Sequence, residues 1–166
     1  MVAIGNRVPQ QQKELKMEIS VIPAHYVLDE IADFYKTHAR VAKVTPEDEL
    51  VVAYANQKFI GSVRLCNENE VYTLRSMQVA DNHQGQGLGR ELLNRFRQRV
   101  EEKNISEVYC IPFAHLEDFY GQIGFKKVEI DQVPGFLQER ILGYNERNPE
   151  KSFILMKLTI TPDFLQ

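Results

Sequence analysis

The chain has 166 residues, 43% of them apolar and 26% charged, with a formal net charge of -3. That is the length and composition of one soluble domain, able to bury a core without disulfides or a structural metal. The acidic balance excludes a general nucleic-acid binder and makes a neutral or cationic small substrate the easier one to accommodate.

Residues 1–16 are polar, glutamine-rich and without period, and read as a tail or an added edge segment. They lack the apolar core of a signal peptide, and no run in the chain approaches the ~20 apolar residues of a membrane span, so a cytoplasmic protein with no membrane partner is expected. One domain is expected over residues 17–166. Glu18 to Pro23 has strand character. Val27, Leu28, Ile31 and Tyr35 then recur at helical spacing and predict an amphipathic helix ending near His38. Leu50 to Ala55, the turn-prone Asn56-Gln57 and Lys58 to Leu65 form a hairpin, and Asn67 to Asn69 turn the chain into an extended stretch from Val71 to Val79.

After Asp81-Asn82-His83 the period changes from two to 3.6. Leu88, Leu92, Leu93, Phe96 and Val100 fall on one stripe of a long helix. Glu107 to Ile111 reads as a buried strand interrupted by Pro112. Leu116, Phe119, Tyr120 and Ile123 make a short helical face closed by Gly124. Phe125 to Ile130 and Phe153 to Thr159 supply two more strands, separated by a long excursion from Pro134 to Glu150 with some helical character. Cys66 and Cys110 lie far apart with no C-x-x-C spacing or histidine cluster, so both read as reduced core residues and no metal site is expected. The fold class is α+β, or mixed α/β, around one sheet.

Gly85, Gly87 and Gly89 sit where a strand ends and a strong helix begins. Without Cβ atoms such a turn tightens and brings backbone N–H groups against an anion, and the positive end of the helix favours phosphate. The alternative is a tight connection that binds nothing. Leu88, Gly89 and Arg90 after Gly87 lack the Lys and Ser/Thr of a nucleoside-triphosphate loop, and the G-x-G-x-G spacing after hairpins is not that of a dinucleotide fold.

The stretch LRSMQVADNHQGQGLGRELL resembles the fourth strand, pyrophosphate loop and following helix of the GNAT superfamily of acetyl-CoA-dependent N-acetyltransferases, whose signature Q/R-x-x-G-x-G/A is filled by Gln84, Gly87 and Gly89. FYGQIGF, from Phe119 to Phe125, resembles the family's next helix and strand. The resemblance implies a mostly antiparallel sheet splayed between its fourth and fifth strands. Met77, Gln78 and Val79 would pair with the pantetheine arm of acetyl-CoA. The segment Gln84, Gly85, Gln86, Gly87, Leu88 and Gly89 would hold the pyrophosphate, with Arg90 as a phosphate contact. Tyr120 would be the general acid on the departing thiolate.

The implied reaction is direct attack by a primary amine, of a small molecule or a protein, in a ternary complex without a metal. A non-catalytic acyl-CoA-binding module or sensor is the alternative. Phe113 stands where many members carry an asparagine against the cofactor arm, a departure that puts that contact in doubt. His115, Glu70, Tyr72 or a water chain are open as the base. Arg75, in a half-buried strand, is expected to have a carboxylate partner. A homodimer pairing through Phe153 to Ile160 is a further expectation.

Overall fold

The computed structural model describes residues 17–162, so the expectation for residues 1–16 lies outside the described residues. Two tight hairpins set the frame. Asn56 and Gln57 (φ 51° and 63°) join β2 (Glu49–Ala55) to β3 (Lys58–Glu68), and Asn69 and Glu70 (φ 56° and 69°) join β3 to β4 (Val71–Val79). Both pairs take the left-handed conformation of a two-residue hairpin turn, which Asn tolerates. The second turn lies later than the Asn-rich sequence suggests: the Asn67 side chain accepts the Glu70 N–H at 2.8 Å, and Asn67 and Glu68 remain in the ladder.

β1 (Met17–Pro23) pairs with β2, and the seven-stranded sheet has the order β1-β2-β3-β4-β5-β7-β6. All neighbours are antiparallel except β4 and β5 (Glu107–Cys110), which run parallel and pair only at Tyr72↔Val108 and Thr73↔Tyr109. β7 (Met156–Thr159) is held between β5 and β6 (Lys126–Lys127). It therefore lies inside the sheet order, with β5 along all four of its residues and β6 along Met156 and Lys157. The strand expected over Phe125 to Ile130 is cut to two residues because Ile130–Gln132 close a 3-10 turn under a capping box from Glu129. Phe153 makes only an isolated bridge, to Phe113.

Among the described residues, four α-helices cover the sheet. On β3, a Cβ at Gly61 would lie 2.8 Å from Leu92 of α2 (Leu88–Glu102), whereas its neighbour Ser62 meets Tyr35 of α1 (Leu28–Thr37) at 3.0 Å. Adjacent strand residues point to opposite faces, so α1 and α2 lie on opposite sides. α3 (Glu117–Gly121) joins α2: Gly89 abuts Phe119, and Arg97 donates to the Ile123 carbonyl. α4 (Gly135–Arg147) joins α1, because Arg140 pairs with Glu68, which shares the face of Ser62. The Pro134 to Glu150 excursion is thus mostly helix, buried through Leu137 and Ile141. Both cysteines are buried free thiols; burial pushes Cys66 up to about 12 and Cys110 well above its ordinary value.

Candidate active site

The pairing of β4 decides the shape of the site. Between Ser62↔Gln78 and Arg64↔Arg75, β4 carries one residue more than β3, a bulge with Ser76 at φ 56°. A bulge bends its strand and raises the local twist. β4 leaves β5 after Thr73, and among the described residues the run from Leu74 to Val79 has no strand partner on that side. The left-handed serine is held from two sides. Tyr35 donates to its carbonyl oxygen at 2.7 Å, and Arg64 donates to its hydroxyl at 2.9 Å. Arg64, 2% exposed, also pairs with Asp48 at 2.8 Å and donates to the Lys43 carbonyl, so the bulge is tied to the α1–β2 segment.

The gap opens into a cavity of ≈ 820 Å³ bounded by Ser76 and Met77 on one side and Cys110 to Phe113 on the other. Tyr120 lines it from α3. The residue is 6% exposed and borders the cavity. Burial, with Cys110 alongside, pushes the phenol above its ordinary value of about 10, while the charge of Arg40 pulls it back. It is a protonated donor at neutral pH.

At the far end of β4 the glycine turn leads into α2. Gly85 (φ 77°) and Gly87 (φ 81°) need their glycines for backbone conformation, since a Cβ at either would meet nothing within 4 Å. Gly89 is required for the opposite reason: its Cβ would lie 3.1 Å from Phe119. Residues 84–87 are exposed, and the first backbone bond of the helix runs from Glu91 N–H to the Gly87 carbonyl. The N–H groups from Gly85 through Arg90 therefore have no backbone acceptor among the described residues, an arrangement suited to an anion. Gln84 turns inward, donating to the Val79 carbonyl at 3.0 Å and fastening the turn to β4. Gln78 donates to the same oxygen. Gln86 and Arg90 are exposed, and Leu88 is buried as the first core residue of α2.

The three named base candidates do not line this cavity. Glu70 and Tyr72 border a separate depression of ≈ 300 Å³ at the start of β4, and His115 is exposed, stacked on Phe113 at 5.6 Å. Phe113 itself belongs to an aromatic wall with Phe153 and lies under Lys151. Arg75 has its carboxylate partner in Glu68. Sequence reasoning missed the basic lining of the cavity: Arg40 and Lys43 from the α1–β2 segment, Arg140 and Arg147 from α4, and Lys151 after it. Arg140, Tyr144 and Arg147 recur at helical spacing, and that periodicity was the signal available.

Among the described residues no helix is long and apolar enough to cross a membrane. No curated protein matches the chain by sequence. Several solved structures share the fold. A Mycobacterium tuberculosis protein, Rv2747, solved in complex with CoA, is 18% identical with a TM-score of 0.64, covering 86% of this chain and 99% of that one. A GNAT family acetyltransferase from Elizabethkingia anophelis with acetyl-CoA bound is 20% identical, TM-score 0.56, covering 87% and 98%. N-acetylglutamate synthase from Neisseria gonorrhoeae, complexed with coenzyme A and N-acetyl-glutamate, is 13% identical, TM-score 0.61; the match covers 87% of this chain but only 36% of that one. The model of the acetyltransferase (GNAT) domain matches residues 22–136. With its splayed parallel pair and glycine turn in place, the chain belongs to the GNAT acetyltransferase family and is an acyltransferase.

Proposed function

We propose that the protein moves an acetyl group from acetyl-CoA to a primary amine by direct attack within a ternary complex. The observation that carries the reading is the unpartnered stretch of β4 from Leu74 to Val79, with the Tyr120 hydroxyl at the cavity beside it and free N–H groups beyond its end. Acetyl-CoA supplies an activated acetyl thioester. In this reading the N–H groups from Gly85 through Arg90 hold the pyrophosphate, with Gln84 bracing the turn from behind. The unpaired backbone of Met77, Gln78 and Val79 takes the pantetheine arm, and Arg90 faces the phosphates from the first helical turn.

The Tyr120 proton stays on the phenol through neutral pH and is offered as a hydrogen bond to the leaving sulfur. No His, Asp or Glu is among the described residues that line the cavity. The amine therefore loses its proton to water, and kcat/KM rises with pH up to the amine's own pKa. The CoA-bound complexes of the similar folds support the choice of co-substrate.

Thermal unfolding with acetyl-CoA, CoA or ATP tests the cofactor half. A ligand at a hundred times its Kd adds about 2.7 kcal/mol, a shift of roughly 5 to 10 °C for this size. The expected result is a shift with the two CoA species, none with ATP, and loss of the shift in Gly87→Trp. Free thiol released only when an amine is added then separates a transferase from a binding module.

A further inference from the structure

The protein is acidic as a whole, yet the cavity beside the splay is lined by Arg40, Lys43, Arg75, Arg140, Arg147 and Lys151 and, among the described residues, by no carboxylate. These residues divide into two sets. Arg75 and Arg140 are held by Glu68, Arg140 through both of its terminal nitrogens at 2.9 and 2.7 Å, and are structural. Arg40, Lys43, Arg147 and Lys151 have no carboxylate within ion-pair distance among the described residues.

Arg40 is aimed by backbone geometry. The N–H of Ala39, at φ 54°, reaches the Lys36 carbonyl, and the Arg40 N–H reaches that of Tyr35, which closes α1 and turns the chain back. The Arg40 charge is then close enough to pull on the phenols of both Tyr35 and Tyr120. Arg147, exposed, lies over the Tyr144 ring at 5.7 Å and lines the cavity from the last turn of α4.

All of these groups come from the α1 and α4 side of the sheet or from β4 itself, whereas the free N–H groups stand at the start of α2 on the other side. An acceptor entering opposite the cofactor meets this basic wall. We propose that the acceptor amine carries a negatively charged oxygen group, a carboxylate or a phosphate, which Arg40 and Arg147 bind while the amine points into the gap toward Tyr120. The inference rests on the acyltransfer reading above and names its substrate class. It reverses the expectation drawn from net charge: a polyamine is repelled here, because the field at a cavity is set by the groups around it and not by the sum over the chain. The same positive field disfavours the ammonium form of the amine, supplying the neutral nucleophile in a cavity that no His or carboxylate among the described residues lines.

The test uses the full chain saturated with CoA. Calorimetric titration compares an acidic amino acid, its neutral diamide, an aminoalkyl phosphate and spermidine, and thiol release from acetyl-CoA gives kinetics for the same four. The expected result is at least tenfold tighter binding of an anionic amine than of the diamide, the carboxylate and phosphate arms ranking the two oxyanions, with the preference shrinking at high salt. Arg147→Gln, exposed and remote from the core, raises KM for the anionic amine roughly 10- to 100-fold with kcat retained and closes the gap to the diamide. Arg40→Gln likewise raises KM for the anionic amine and closes the gap to the diamide. Equal or tighter binding of spermidine or the diamide, or a gap left intact in both variants, overturns the proposal. Absence of any CoA binding instead overturns the acyltransfer reading beneath it.

Discussion

Ser76 occupies a backbone region that costs a non-glycine residue of order 1 kcal/mol or more, and it persists because Tyr35 and Arg64 hold its two oxygen atoms. The strain is local, but its effect is to end the pairing of two strands and open the cavity. Tyr120 lines that opening from α3. Tyr120→Phe removes a hydrogen bond that matters most as the thiolate departs. Its kcat is expected to fall roughly 10²- to 10⁴-fold, with KM and the acetyl-CoA thermal shift nearly unchanged. Steady-state kinetics beside the melting curves decide this: an unaltered kcat would leave Tyr120 as a packing residue.

At the scale of elements, the junction of α2 and α3 separates two uses of glycine. Gly89→Ala brings a Cβ to 3.1 Å from the Phe119 ring, whereas Gly87→Ala meets no atom and is penalised only through φ 81°. Overpacking of this kind costs about 1–3 kcal/mol. In a double-mutant cycle with Phe119→Leu, the Gly89 pair is expected to couple by about 0.5 kcal/mol or more and the Gly87 pair to add within error, as measured by denaturant unfolding. The bare G-x-G-x-G pattern does not distinguish these roles, which depend on what α3 places opposite. The pattern did locate the turn and helix, because Leu88, Leu92, Leu93, Phe96 and Val100 keep a strict stripe. α4 was less legible: only Leu137 and Ile141 are fully buried, and the face toward the cavity is polar. The splay was legible only by resemblance, since no local pattern in RSMQV marks Ser76 as a bulge and its causes, Tyr35 and Arg64, lie elsewhere in the chain.

Over the whole molecule, ion pairs join elements distant in sequence. Glu49 of β2 receives Arg99 from α2 and Lys103 from just beyond its end, and Glu68 of β3 receives Arg140 from α4 and Arg75 from β4. Burial alone would raise both carboxyls, but hydrogen bonds outweigh it, from Lys103 and Arg99 on Glu49 and from Arg140 and Thr73 on Glu68, and both lie below the ordinary carboxylate value. A carboxyl depressed in the folded state contributes stability above its unfolded pKa of about 4.3, and that contribution is lost as pH falls through the folded value. Urea midpoints are therefore expected to be flat from pH 7 to 5 and to drop below about pH 4.5, with Glu68→Gln lowering the midpoint at pH 7 and flattening the acid limb. A wild-type curve as flat as that of the variant would remove Glu68 from the account. The charge of the cavity was hidden from sequence for the same reason: Arg40, Arg75, Arg140 and Arg147 converge only after folding, and a total of -3 averages over them.

The interior place of β7 also bears on how the chain assembles during synthesis. Met156–Thr159 must enter between β5 and β6, both made earlier, so one wall of the splay has no neighbour until residues far along the chain have emerged. Closing such non-local pairings is slow, and until then β5 and β6 present open edges. A nascent chain cut before Met156 holds a finished hairpin frame from β1 to β4 beside an unfinished β5 edge, and this is where a chaperone would be expected to bind.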